Sequence, residues 1–117
     1  MSLISIFLIC LVALEHVYFL ILEMFFWTKP KGMKAFGLKS KTFAQETKIL
    51  AANQGLYNGF LAAGLVFALV NQDIKTLIFF LICIIVAGFF GTMSTKKPKL
   101  FLVQSVPAIC TLIAILF

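Results

Sequence analysis

Residues 2–27 read SLISIFLICLVALEHVYFLILEMFFW, an apolar run that decides the fold class. At about 1.5 Å per residue in a helix, the run is long enough to cross a hydrocarbon core of about 30 Å. It lacks the basic segment and the small-residue cleavage site of a signal peptide, and it is longer than a signal peptide's apolar region. We therefore predict that it forms a retained transmembrane helix.

Three further apolar runs fill most of the remaining chain. Of the 117 residues, 62% are hydrophobic and 12% are charged, and the mean hydropathy is +1.11. An ordinary soluble domain is about 45–50% apolar, so this composition excludes a soluble enzyme, a disordered tail and a secreted disulfide scaffold. We predict one integral membrane domain over residues 1–117, an all-α four-helix transmembrane bundle with helices at about 2–27, 43–70, 74–93 and 100–117.

The Lys residues lie mainly in the connections between these runs and predict the orientation of the chain. The formal net charge is +6, and eight Lys fall in the first and third connections, whereas the second has one Lys offset by Asp73. Cytoplasmic loops of membrane proteins carry an excess of Lys and Arg. We expect loops one and three in the cytoplasm, both termini outside, and a multi-pass location in the bacterial inner membrane, the cell membrane. We also expect the Lys-rich loops to contact anionic lipid headgroups, and no nucleic-acid partner.

Polar residues interrupt three of the four predicted spans. An ionisable group at membrane depth costs roughly 2.5–3.5 kcal/mol on insertion scales, so such residues indicate a functional site. Counting about 1.5 Å per residue from the predicted cytoplasmic ends sorts most of them into a middle and an inner layer. The middle layer holds Glu15, His16 and Asn58, and the inner layer holds Glu23, Asn53, Gln54 and Gln104; Tyr57 lies one turn from Asn53.

We predict that these eight residues form a site that binds or transports a small cationic or proton-coupled solute. Carboxylates and an imidazole together suit cation recognition, proton exchange or acid–base chemistry. Two alternatives stay open: a membrane enzyme that uses His16 and a Glu on a lipophilic substrate, and a structural protein whose polar groups only specify helix pairing. A metal ion is less favoured, because the chain has one His and no H-E-x-x-H motif, and we predict no cofactor.

Local signals predict where helices begin, bend and contact one another. Thr42-x-x-Gln45 has the form of a capping box, and Pro107 should kink the last helix. Four helices of this size enclose little volume, so a site larger than an ion suggests a homo-oligomer. Small residues recur at a spacing that suits close helix contact, within the chain or between subunits. They are Gly55, Gly59 and Ala63 in the second span, and Cys83, Ala87 and Gly91 in the third.

Several runs resemble the small bacterial membrane-protein family called domain of unknown function 1304. They are ALEHVYF at 13–19, EMFFW at 23–27, AANQGLYNGF at 51–60, VAG at 86–88 and VQSVP at 103–107. The resemblance spans essentially the whole chain. It implies a four-helix inner-membrane protein, and it implies no particular reaction.

Overall fold

The computed structural model describes residues 1–117, and every regular element in it is a helix. The prediction of an all-α protein with four apolar helices long enough to span a membrane is confirmed. A fifth, short helix lies between the first two spans. The helices are α1 (Leu3–Phe25), α2 (Pro30–Phe36), α3 (Lys41–Val70), α4 (Ile74–Thr95) and α5 (Pro98–Leu116).

Two helix starts show how local polar groups set the ends of the spans. The predicted capping box at Thr42 is wrong, because α3 begins at Lys41 and the backbone N–H of Phe43 donates to the hydroxyl of Ser40. At α4, the Asp73 carboxylate caps the helix by accepting from the N–H and hydroxyl of Thr76. These hydrogen bonds hold the pKa of Asp73 below its usual range.

The basic first connection contains α2, a seven-residue helix that begins at Pro30 and ends before Gly37. Gly37 adopts the left-handed conformation (φ 59°) that closes many helices. Gly32 is buried because it lies against the backbone of Phe26, where any Cβ would overlap the carbonyl group. This close approach holds α2 against the end of α1, while its Lys side chains are exposed.

The chain divides into two compact units, and the first comprises Met1–Ala13 and Ala63–Phe117. In this unit the Ser105 hydroxyl donates to the carbonyl of Ile85 at 2.9 Å, and Gly88 leaves the space that Ser105 occupies. A π-helical turn over Phe101–Ser105 lies just before Val106 and Pro107, while the kink predicted at Pro107 stays a prediction. Such turns occur where the regular hydrogen-bond ladder of a helix is interrupted, as proline interrupts it here.

The second unit, Leu14–Ala62, pairs the C-terminal part of α1 with the N-terminal part of α3. Gly55 and Gly59 bring the two backbones together, because a Cβ at Gly55 would lie 3.2 Å from the Leu20 carbonyl oxygen. A Cβ at Gly59 would lie 2.6 Å from Cδ1 of Leu20. These two small residues therefore serve packing within the chain, and most of the predicted polar residues lie in this unit.

Candidate functional site

The central contact of the second unit is a hydrogen bond between two buried polar side chains. Nδ2 of Asn58 on α3 donates to Oε1 of Glu23 on α1 at 2.5 Å, and each residue is 7% exposed. Such a hydrogen bond stabilises by about 0.5–1.5 kcal/mol when the carboxyl group is protonated and by about 1.5–3 kcal/mol when it is charged. The pair therefore both links the helices and holds the Glu23 carboxyl group in one place.

The assignment of Glu23 and Asn58 to different layers is wrong, because they contact each other directly. Counting residues along each helix locates the Cα atoms, but the Cα–Cβ bonds of a helix tilt toward its N-terminus. Since α1 and α3 run in opposite directions, the two side chains lean toward one another. The length of the Glu23 side chain covers the remaining separation.

Beside this pair, the second unit contains a cleft of about 340 Å³ between the end of α1 and the first turns of α3. Its volume is within the range of small-ligand sites, about 300–1,000 Å³. Both polar and apolar side chains line it: Glu23, Met24, Phe25, Trp27, Thr28, Lys48, Ile49, Ala52 and Asn53. Of the predicted site residues, Glu23 and Asn53 thus share one cavity.

Trp27 forms a fixed wall of the cleft. Its indole Nε1–H donates to the hydroxyl of Thr47 at 3.0 Å, and the Thr47 hydroxyl donates to the carbonyl of Phe43 at 2.7 Å. The ring of Phe36 on α2 packs against the indole at a centroid distance of 5.1 Å. The short helix α2 therefore supports the site as well as connecting two spans.

Sequence reasoning missed three polar lining residues: Trp27, Thr28 and Lys48. One signal was available in the α3 residues at 48, 49, 52 and 53, whose spacing places them on one helical face. In the sequence, Lys48 is a basic residue near the start of α3 and Trp27 is the last residue of the first apolar run. Neither description indicates that the two side chains line the same cavity, which depends on how α1 and α3 pair.

Glu15 and His16 lie elsewhere in the second unit and do not line the cleft. His16 is completely buried, and its ring meets that of Phe19 edge-on at 5.2 Å. Glu15 is half-buried, and its Oε1 is a buried acceptor with no hydrogen-bond partner. An unpaired buried acceptor costs about 1–3 kcal/mol, a cost that a bound water, proton or ion removes.

The other three predicted site residues are also outside the lining of the cleft. Gln54 and Tyr57 are exposed on α3, and the Tyr57 ring lies 6.2 Å from that of Phe60. Gln104 is half-buried in the π-helical turn of the first unit. No group of three or more potential metal ligands lies together.

A larger groove of about 490 Å³ lies along α4 in the first unit, but it carries no chemistry. Its lining is almost wholly apolar and comes from one helix: Phe79, Ile82, Cys83, Val86, Ala87 and Phe90. Side chains of this kind on a membrane-spanning helix face acyl chains. The smaller, polar cleft is therefore the candidate site.

The charges around this cleft have a definite arrangement. The C-terminal end of α1 carries a partial negative charge from its unpaired carbonyl groups, and Glu23 adds a carboxylate within the last turn. Lys48 contributes an exposed ammonium group from α3. The acidic group of the cleft therefore lies on the α1 side and the basic group on the α3 side.

The chain has relatives among known proteins. Uncharacterized protein YpaA of Lactococcus lactis subsp. lactis (strain IL1403) is 32% identical over 120 residues, which cover 100% of both chains. No solved structure matches the chain. The family described as "Protein of unknown function (DUF1304)" matches residues 10–116. This four-span chain therefore belongs to the DUF1304 family.

Proposed function

We propose that this protein binds a small cationic solute at Glu23 and exchanges it for a proton, as a membrane transporter does. The observation that supports this most directly is a carboxyl group that is more than nine-tenths buried and yet forms part of the wall of a cleft. The hydrogen bond from Asn58 uses Oε1 and leaves Oε2 for a ligand.

Two further features favour a cation over an anion at the α1 side of the cleft. The helix terminus of α1 is electronegative, and the Trp27 indole presents a π-face whose position is fixed by Thr47 and Phe36. A cation within about 6 Å of an indole ring is stabilised by about 0.5–2 kcal/mol. An organic ammonium ion satisfies both the carboxylate and the ring.

Proton coupling is proposed from the ability of one carboxyl group to hold either a proton or a cation. A buried carboxylate without a counter-ion is unfavourable, so loss of the cation favours protonation of Glu23. Glu15, with its unpartnered buried Oε1, is a second group on α1 that accepts a proton. The two carboxyl groups lie eight positions apart, a little over two turns of the same helix.

The test is solute-driven proton movement in liposomes. Purified protein is reconstituted with an internal pH-sensitive dye, and ethanolamine, choline and tetraphenylphosphonium are applied as probes. We expect Glu23→Gln to abolish the pH response, because Gln accepts the Asn58 hydrogen bond but cannot release a proton. Glu46→Gln is the matched control, since Glu46 is exposed on α3 outside the cleft. Unchanged flux in Glu23→Gln would refute the proposal, and unchanged flux in Glu15→Gln would remove Glu15 from it.

A structural role is the second candidate, and specific contacts favour it. The Glu23–Asn58 hydrogen bond joins α1 to α3, and the Trp27–Thr47 hydrogen bond joins the segment after α1 to α3, as groups that only specify pairing do. A purely structural site has no need of a cleft or of an unpartnered buried oxygen. His16 is completely buried and does not line the cleft, so its position does not support the enzyme alternative.

A further inference from the structure

The cleft presents two opposite charges on its two walls. Glu23 projects from α1 and is bonded to Asn58, whereas Lys48 projects from α3 and is exposed. The ammonium group of Lys48 is exposed in the cleft, so an anion can reach it. A simple cation does not use this second charge.

The side chains around Lys48 also suit an anionic group. Thr28 lines the same cleft and carries a hydroxyl group, which donates a hydrogen bond as readily as it accepts one. An ammonium group and a hydroxyl group together are a common combination for binding a phosphate oxygen. The exposed amide of Asn53 lines the cleft as well. Its carbonyl oxygen can accept a hydrogen bond from a cationic group, and its NH2 group can donate one to an anionic group.

Apolar side chains at the edges of the cleft indicate how an occupant lies in the bilayer. Phe25 and Ile49 line the cleft and are 63% and 71% exposed, although both belong to membrane-spanning helices. Exposed apolar side chains on such helices contact acyl chains. A polar lining bordered by such surfaces suits a molecule with a polar head and an apolar tail.

We propose that this cleft binds the headgroup of a zwitterionic amphiphile that carries a primary ammonium group and a phosphodiester. The ammonium group lies at Glu23 and the Trp27 ring, and the phosphodiester lies at Lys48 and Thr28. The acyl tail extends along Phe25 and Ile49. This inference rests on the proposed function for its ammonium half and adds the substrate class to it.

The chain's single Trp lines the cleft, so its fluorescence reports occupancy directly. Full-length protein in dodecyl maltoside micelles is titrated with four ligands that separate the features of the proposed occupant. Ethanolamine carries only the cation, and glycerophosphoethanolamine is the soluble zwitterion. Lysophosphatidylethanolamine is the zwitterionic amphiphile, and lysophosphatidylglycerol is an amphiphile without the ammonium group.

We expect lysophosphatidylethanolamine to bind most tightly. Lys48→Gln should lower the binding affinity of both zwitterions by about three- to tenfold, because it removes one charge-assisted contact. It should leave the binding affinity of ethanolamine unchanged. Lys41→Gln is the matched control, an exposed Lys on the same helix outside the cleft. Circular dichroism of each variant checks that the variant is folded.

Three results would overturn the inference. The first is that Lys48→Gln and Lys41→Gln have the same affinities for the zwitterions. The second is that lysophosphatidylglycerol binds as tightly as lysophosphatidylethanolamine. The third is that glycerophosphoethanolamine binds as tightly as lysophosphatidylethanolamine. The proposed function survives each of these if ethanolamine still binds and Glu23→Gln abolishes that binding. Ethanolamine binding that is insensitive to Glu23→Gln would instead refute the proposed function.

Discussion

A single hydrogen bond, from Asn58 to Glu23, links the two helices that carry the candidate site. Removing one partner of a buried pair costs more than removing both, because the remaining group stays buried without a partner. We expect Asn58→Leu to lower the free energy of unfolding by about 1–3 kcal/mol. Adding Glu23→Met should recover part of that loss, because no polar group then remains unpaired.

Thermal unfolding in detergent, followed by circular dichroism, measures both effects. Gln54→Leu is the control, an exposed amide on the same helix. If the effects of Asn58→Leu and Glu23→Met simply add, the two side chains are not coupled in solution.

At the scale of the helices, the pairing of α1 with α3 depends on the absence of side chains at Gly55 and Gly59. A Cβ at Gly55 would lie 2.7 Å from Cγ of Met24 and 3.2 Å from the Leu20 carbonyl oxygen. Gly55→Leu should therefore force the helices apart and destabilise the protein by about 1–3 kcal/mol. Ala63→Leu, at an exposed position of α3, should change stability by less than about 0.5 kcal/mol.

The same experiment reports on the cleft, because Met24 lines it and Trp27 lies on the same wall. Displacement of α1 should shift the emission maximum of Trp27 in Gly55→Leu and leave it unchanged in Ala63→Leu. A stable Gly55→Leu variant with wild-type emission would show that the close approach of the helices is not required.

The predictability of the helices follows from their length and composition. Four long apolar runs are recognisable because each must cover a bilayer core with its own residues. The helix α2 was not predicted as a helix, because seven residues are too few to be helical alone. Pro30 at its start and Gly37 at its end are local helix signals, whereas the packing of Gly32 against the Phe26 backbone is a tertiary contact.

At the scale of the whole molecule, the distribution of Lys predicts both termini outside and loops one and three in the cytoplasm. Alkaline phosphatase fused after Phe117 should be active in a bacterial host, since the enzyme folds only outside the cytoplasm. Green fluorescent protein at the same position should be dark. The reverse pattern would contradict the predicted orientation.

The homo-oligomer also stays a prediction. Measuring the mass of the protein in detergent tests it.

The fold class, the four spans and the polar groups within them are predictable from residue properties along the chain. Length, hydropathy and the cost of burying charge are properties of single residues or local runs, so they need no knowledge of packing. The pairing of Glu23 with Asn58, and the cleft that Glu23 shares with Trp27 and Lys48, follow only from the tertiary contacts. Those relations depend on the rotation, depth and side-chain tilt of two antiparallel helices, which contacts at Gly55 and Gly59 set.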